Sequence, residues 1–318
     1  MLRTLKEWWI TFRFVPVLNW TIVNSLIALA LAKHYAGQLD YLSWFVAALV
    51  AWTTQGYPAH VWNDIFDWLS GTDKLVDIRR TISGGSHAIQ LFYRDKNVFL
   101  HLKNHVPWLI ACAIAAYYFV FVMGWWWYVV AGAVLAVYIA VFYSAPPIQA
   151  GHRAFFGEWG HAFPGILLSD VLIYYAAAHD LPPLEALLLM SLYVIGNVFM
   201  LEMHHVNDIY PDLNAEKKKY TAVSWIYEKT KSAKRVHDYF VVVALVAILL
   251  SAVTATILAA AVMYVPLYIF GATATSEYER LDFEKYPEYL DTTVRIELRW
   301  IVLHTVVGLC FAGIVFFL

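Results

Sequence analysis

Long apolar runs separated by short polar segments dominate the chain. A membrane-spanning helix needs about 20 mostly apolar residues, because the hydrocarbon is about 30 Å thick and every backbone polar group must be paired internally. Nine stretches meet this requirement, at about 15–34, 41–61, 106–123, 125–143, 162–179, 184–206, 239–256, 258–273 and 299–318. The apolar stretch from Tyr239 to Thr273 is too long for one span and is divided near Thr256. The first run follows Arg13 without a cleavage site, so it reads as a retained helix rather than a signal peptide. The pattern predicts an all-α polytopic membrane protein, a single domain over 1–318 with about nine transmembrane helices in one bundle.

Composition agrees. The chain is 61% hydrophobic and only 14% charged, with a mean hydropathy of +0.58. That excludes an ordinary soluble domain. A formal net charge of −2 gives no surface for nucleic acid. Cys112 and Cys310 both lie in apolar stretches, which excludes a disulfide framework or a cysteine-rich metal site. The basic residues are one-sided. With nine spans, all of the 22 Lys and Arg except Lys33 fall on the side of the N-terminus. This places the N-terminus in the cytoplasm and the C-terminus outside. The two long loops, about 62–105 and 207–238, then face the cytoplasm, and long loops on a compact bundle tend to carry function.

Each of those loops opens on an acidic cluster. The first is Asn63-Asp64-Ile-Phe-Asp67-Trp-Leu-Ser-Gly71-Thr-Asp73. Asn63 and Asp67 are four apart and Asp64 and Asp67 three apart, so all three share a helix face. Gly71 is placed to stop the helix and turn Asp73 back toward the site. The second cluster is His204-His205-Val-Asn207-Asp208-Ile-Tyr-Pro211-Asp212, with His204, Asp208 and Asp212 on one stripe and Pro211 expected to bend or end the helix. Carboxylates at membrane depth are costly unless they share cations. Carboxylates with an amide suit Mg²⁺, which keeps waters and binds substrate phosphates through few protein ligands. Arg79 and Arg80 after the first cluster, and Lys217–Lys219 after the second, can take the remaining phosphate charge. A bland reading makes each cluster a solvated helix end; two clusters matched in depth, each followed by bases, argue against it. A zinc or iron site from His204, His205 and Asp208 is disfavoured, because adjacent histidines on a helix point about 100° apart.

These residues resemble the UbiA superfamily of intramembrane prenyltransferases over about residues 15–235. Asn63-Asp64-x-x-Asp67 with the Gly71-x-Asp73 ending is similar to the branch that prenylates 1,4-dihydroxy-2-naphthoate. So are Arg80 followed by Ser83-Gly84, Tyr143-Ser-Ala-Pro146-Pro147, Arg153 and Gly157-Glu158. The second motif departs from the family: His204, His205 and Asn207 stand where two Asn and an Arg are usual, and Glu216 stands where a Gly is usual.

The resemblance implies a polyprenyl diphosphate donor, a hydrophobic acceptor and a bilayer setting. It implies Mg²⁺ held by Asn63, Asp64, Asp67 and Asp73 on one side and by Asp208 and Asp212 on the other. It assigns diphosphate contacts to Arg80, Lys217, Lys218 and Arg153, and catalytic roles to Asp67, Asp208, Tyr143 and His204. An aromatic quinone precursor is the favoured acceptor. A glycerol-lipid acceptor and intramolecular cyclisation are the competing outcomes. A transporter or lipid-binding scaffold is the competing class, but the chain shows no internal repeat and its polar clusters lie at one face. Asp170 and Glu202 receive no role, and the mixed-charge segment 276–299 reads as a surface helix.

Overall fold

The computed structural model describes residues 2–77, 79–80, 85–93 and 97–318. Ser83 and Gly84 of the Arg-x-x-Ser-Gly stretch, and the basic residues Arg94 and Lys96, lie outside the described residues.

Among the described residues, seven helices are long and apolar enough to cross a membrane: Phe14–Ala36, Val98–Val122, Phe156–Ala178, Leu184–Asn207, Ala233–Ala255, Ala259–Arg280 and Leu290–Phe317. The shorter Trp126–Ala140 and a continuous helix over 41–70 complete the nine expected stretches. At about 1.5 Å per residue the 41–70 helix is about 45 Å long, more than the hydrocarbon thickness. Its polar last turns therefore stand at one end of the bundle. Pro58 falls inside it without breaking it, because Gln55–Ala59 forms a wide π-type turn.

The sixth span, Leu184–Asn207, is the most enclosed, and it packs against the first, fifth, seventh and ninth spans. Its neighbours come close because small residues face large ones. Gly196 has no room for a Cβ, which would lie 2.2 Å from the His304 ring, and Gly308 is equally tight against Tyr193. Buried amides fix the register of these helices. Asn19 donates to Thr305 Oγ1 at 2.7 Å, and Tyr193 donates to Asn19 Oδ1 at 2.9 Å. Asn197 donates to Asn24 at 3.2 Å. With no hydrophobic driving force in lipid, such packing and hydrogen bonds hold helices together.

The two ends differ. At one end an aromatic group of Phe119, Trp125, Tyr128 and Tyr175 packs ring on ring, and Lys33 donates to the terminal carbonyl of Phe316 at 2.9 Å. The other end carries the basic loops and short helices Thr72–Leu75, Ala88–Phe92, Ile209–Asn214 and Ala222–Thr230. The amphipathic helix Leu2–Phe12 lies against this basic end. Its Glu7 is buried, receiving Arg3 at 2.9 Å, Tyr93 OH at 2.8 Å and Lys103 at 2.7 Å, while Leu2, Leu5 and Trp9 stay exposed.

Two local expectations change. The ninth span begins at Leu290 rather than near residue 299, so the end of the 276–299 segment is span rather than surface helix, and Glu297 is buried within the bundle. The sixth span breaks at Asp208, three residues before Pro211. Pro211 sits in the first turn of the following short helix, where a missing N–H costs nothing.

Candidate active site

The first acidic cluster occupies the last turns of the 41–70 helix and the short helix after it. Gly71 ends the long helix at φ 92°, a left-handed conformation that suits glycine, and Thr72–Leu75 returns Asp73 toward the bundle. Asn63 donates to Asp67 Oδ2 at 2.9 Å, as their four-residue spacing allows. Asp64 is heavily bonded to other partners. It accepts from Ser86 N at 2.7 Å and from the Ser86 hydroxyl, and His101 Nε2 lies 3.0 Å away. Gly85, at φ 71°, sits so close that a Cβ would fall 2.2 Å from Asp64 and 3.4 Å from Asp73.

The second cluster follows the break at the end of the sixth span. His204 Nδ1 lies 2.9 Å from Glu297 Oε1, and Asn207 donates to Glu297 Oε2 at 2.6 Å. Asp208 borders the open space between the clusters, and Asp212 is buried in the next short helix.

The segment after Asp212 joins the clusters. Lys217 N donates to Ser70 O at 3.1 Å, and Lys219 N donates to Asp212 O at 3.0 Å. These backbone bonds carry the chain across from one cluster to the other. They bury Lys219, whose ammonium donates to Asp67 Oδ2 at 2.8 Å. His152 Nε2 stands 3.6 Å from Asp67 Oδ1.

The balance of charge is incomplete. Asp67 Oδ1 and both oxygens of Asp73 and of Asp212 are buried without a hydrogen-bond partner. Burial, together with Asp67 and Asp64, pushes the Asp73 carboxyl well above the usual carboxylate range. Burial does the same to Asp212, Lys219 pulling the other way, with Asp208 and Asp67 adding to the rise. Burial opposes the Lys219 charge, but Asp67 and Asp212 hold its pKa well above the ordinary lysine value. Carboxyl groups that resist ionisation around one ammonium mark a site short of positive charge.

Asn63, Asp67, Asp73, Tyr143, His204 and Asp208 all line one cavity of about 550 Å³. Asp64 and Asp212 sit behind its wall. Of the four cations to which the resemblance assigns diphosphate contacts, none lines it. Arg80 pairs with Asp291 at 2.8 Å, Lys217 donates to Gln149 at 3.0 Å, Lys218 to Glu228 at 2.8 Å, and Arg153 to Pro147 O at 3.3 Å, all on the surface. The cavity instead carries Lys219 and Arg13. Arg13 enters because the chain turns at a left-handed residue, φ 46°, between the surface helix and the first span.

The cavity changes character along its length. Beyond the polar mouth it is walled by Trp20, Ile139, Ile166 and Ile301. A second, mainly apolar cavity of about 290 Å³ shares Trp20, Gln55, Ile139 and Ile166 with it and runs on toward Phe119 and Tyr128 at the opposite end. Tyr143 OH lies 3.3 Å from His205 Nε2, and behind them Glu158, Glu202 and His205 form a buried group.

No family model matches the chain, and no curated protein matches its sequence. Its backbone is similar to the structure of a UbiA homolog from Archaeoglobus fulgidus bound to DMAPP and Mg²⁺. The TM-score is 0.59, over 97% of this chain and 99% of that one, at 13% identity. The fold is UbiA-like. Within that UbiA-like fold, reasoning from the sequence brought both acidic clusters to one place but missed Arg13, His152 and Glu297. Arg13 carried only a topological signal. His152 carried none. Glu297 was hidden by placing the ninth span too late.

Proposed function

We propose that the protein is a Mg²⁺-dependent prenyltransferase that moves a polyprenyl group from its diphosphate to a hydrophobic acceptor. An aromatic quinone precursor of the 1,4-dihydroxy-2-naphthoate type is the acceptor that the sequence resemblance favours. The observation that carries this reading is a carboxylate-lined, cation-deficient cavity adjoining a second, apolar cavity through the shared wall of Trp20, Gln55, Ile139 and Ile166. A prenyl diphosphate has the complementary shape, a highly charged head on a long apolar tail.

The unpartnered oxygens of Asp67, Asp73 and Asp212, with Asp208 and Asn63 beside them, are hard donors that fit Mg²⁺. These residues would hold it, and Asp64 would hold their positions through Ser86 and His101. Bound there, Mg²⁺ supplies charge neutralisation of the leaving diphosphate. The chain's own cations complete that task. Lys219 is fixed by Asp67 before substrate arrives, so its ammonium needs no reorganisation to meet a phosphate oxygen. Arg13 meets the head group from the mouth. Tyr143 and Trp20 present ring faces to the allylic carbon as positive charge develops there. The apolar walls keep water from that carbon, so the acceptor is the nucleophile within reach. On this reading the active site opens to the cytoplasm, on the side of the basic loops.

The test uses detergent-purified protein, Mg²⁺ and a radiolabelled prenyl diphosphate, with and without 1,4-dihydroxy-2-naphthoate. Diphosphate release that depends on the naphthoate, with label passing into it, is the expected result. Release without acceptor points to cyclisation or hydrolysis. Absence of release with naphthoate or glycerol-lipid acceptors overturns the proposal.

A further inference from the structure

Behind the cavity wall, Glu158 of the fifth span meets Glu202 and His205 of the sixth. One donor atom from each lies within 4.8 Å of the others, and all three side chains are buried. Glu158 Oε2 and Glu202 Oε2 have no hydrogen-bond partner, and His205 Nδ1 faces Glu158 Oε1 at 3.3 Å. Among the described residues, no Lys or Arg pairs with either glutamate. Fully ionised, the two carboxylates carry the charge that one divalent cation cancels.

The far sides of the same groups are held. Glu158 Oε1 accepts from Ala222 N at 3.1 Å, and Glu202 Oε1 accepts from Tyr239 OH at 2.5 Å. Tyr239 OH in turn accepts from Trp159 Nε1 at 2.7 Å. His205 Nε2 faces Tyr143 OH at 3.3 Å. This is the outer arrangement that fixes a metal ligand: each carboxylate has one oxygen tied to a neighbour and one left for the ion, and the imidazole Nδ1 lies beside the tied Glu158 oxygen. The donor set, two carboxylates and an imidazole, suits Zn²⁺ or Mn²⁺ better than Mg²⁺.

We infer that Glu158, Glu202 and His205 form a second metal site, holding one resident divalent transition-metal ion. It is separate from the aspartates at the mouth. Its ligand His205 borders the cavity, which gives the ion a way in. Through His205 and Tyr143 the ion stiffens the wall against which substrate lies.

The experiment measures bound metal. Purified full-length protein is stripped with EDTA, reloaded with Zn²⁺ alone or Mn²⁺ alone, passed through gel filtration and measured by elemental analysis. About one ion per chain is expected in the wild type and in Asp67→Asn. Glu158→Gln and Glu202→Gln are expected to lose it, and Tyr239→Phe to weaken it by about 10–100-fold. The wild-type melting temperature rises on loading, and that of Glu202→Gln does not. Less than about a tenth of an ion in wild type, or loss in Asp67→Asn with retention in both glutamine variants, overturns the inference. A Glu202→Gln variant that fails to fold leaves Tyr239→Phe to decide, and unchanged affinity there also overturns it.

Discussion

Two carboxylate-rich regions meet the sixth span near its end, and their surroundings differ. At the mouth, Asp67, Asp73, Asp208 and Lys219 line a large cavity, and Asp212 stands behind its wall near Lys219. Beside it, Glu158, Glu202 and His205 form a buried group, and among the described residues no lysine or arginine pairs with either glutamate. The mouth keeps a fixed ammonium and leaves the rest of its charge unmatched, as suits a ligand that arrives with its own ions and leaves again. The inner group has one oxygen of each glutamate hydrogen-bonded and the other unpartnered, as suits the resident ion proposed there. On the two proposals above, carboxylates serve exchange in one place and permanence in the other. Access and the hydrogen bonds on the far side of each carboxylate make the difference.

The largest expected effect breaks the mouth alone. Asp67→Ala or Asp208→Ala should lower kcat/KM for prenyl transfer by at least about 10³-fold, since several kcal/mol of charge stabilisation are lost. Steady-state assays with radiolabelled donor measure this, and near-normal turnover in both variants refutes the mouth as the reaction site. Lys219→Met should cost about 10²-fold, chiefly in kcat, because it removes one fixed cation near the leaving group. Arg153→Met, on the surface, should leave the rate within twofold. Ala136→Phe, in the apolar extension, should lower turnover of long prenyl diphosphates by about tenfold or more while sparing the shortest. An equal loss for every chain length would detach the second cavity from the tail.

The smallest effect concerns the wall of the mouth that Leu2–Phe12 provides. Hydrogen bonds from Lys103, Tyr93 and Arg3 outweigh burial and hold the Glu7 carboxyl below its usual range. A carboxylate with a lowered folded pKa stabilises above its unfolded pKa, about 4.3, and loses that contribution as pH falls through the folded value. Glu7→Gln should therefore destabilise by about 1–3 kcal/mol at pH 7. The gap from wild type should close below about pH 4, as read from melting curves in detergent. A gap that widens on acidification reverses the sign and excludes this role.

Much of this was legible along the chain. Spans are visible because lipid demands about 20 apolar residues whatever the fold, so Leu184–Asn207 and its partners stand out by composition. Asn63 and Asp67 were legible because helical spacing places them side by side, and Gly71 because a left-handed stop favours glycine. Lys217, Lys218 and Lys219 could not be ranked. Which one turns inward depends on backbone bonds to Ser70 and Asp212, far apart in sequence. Asp64 shares the motif with Asp67, yet its partners Ser86 and His101 come from a later loop and a later span. His204 and Glu297 are a pair only because the sixth and ninth spans pack together.

The sequence alone determined the membrane class, a bundle of about seven to nine apolar helices, the one-sided placement of basic loops and the two acidic clusters. Each follows from local rules: apolar run length, charge asymmetry and helical periodicity. Tertiary structure alone decided which cation enters the mouth, which aspartate is tied to Ser86 and His101, and that Glu158, Glu202 and His205 converge. Those outcomes depend on how helices cross and where loops are pinned. Such contacts join residues tens to hundreds of positions apart, and local spacing carries no record of them.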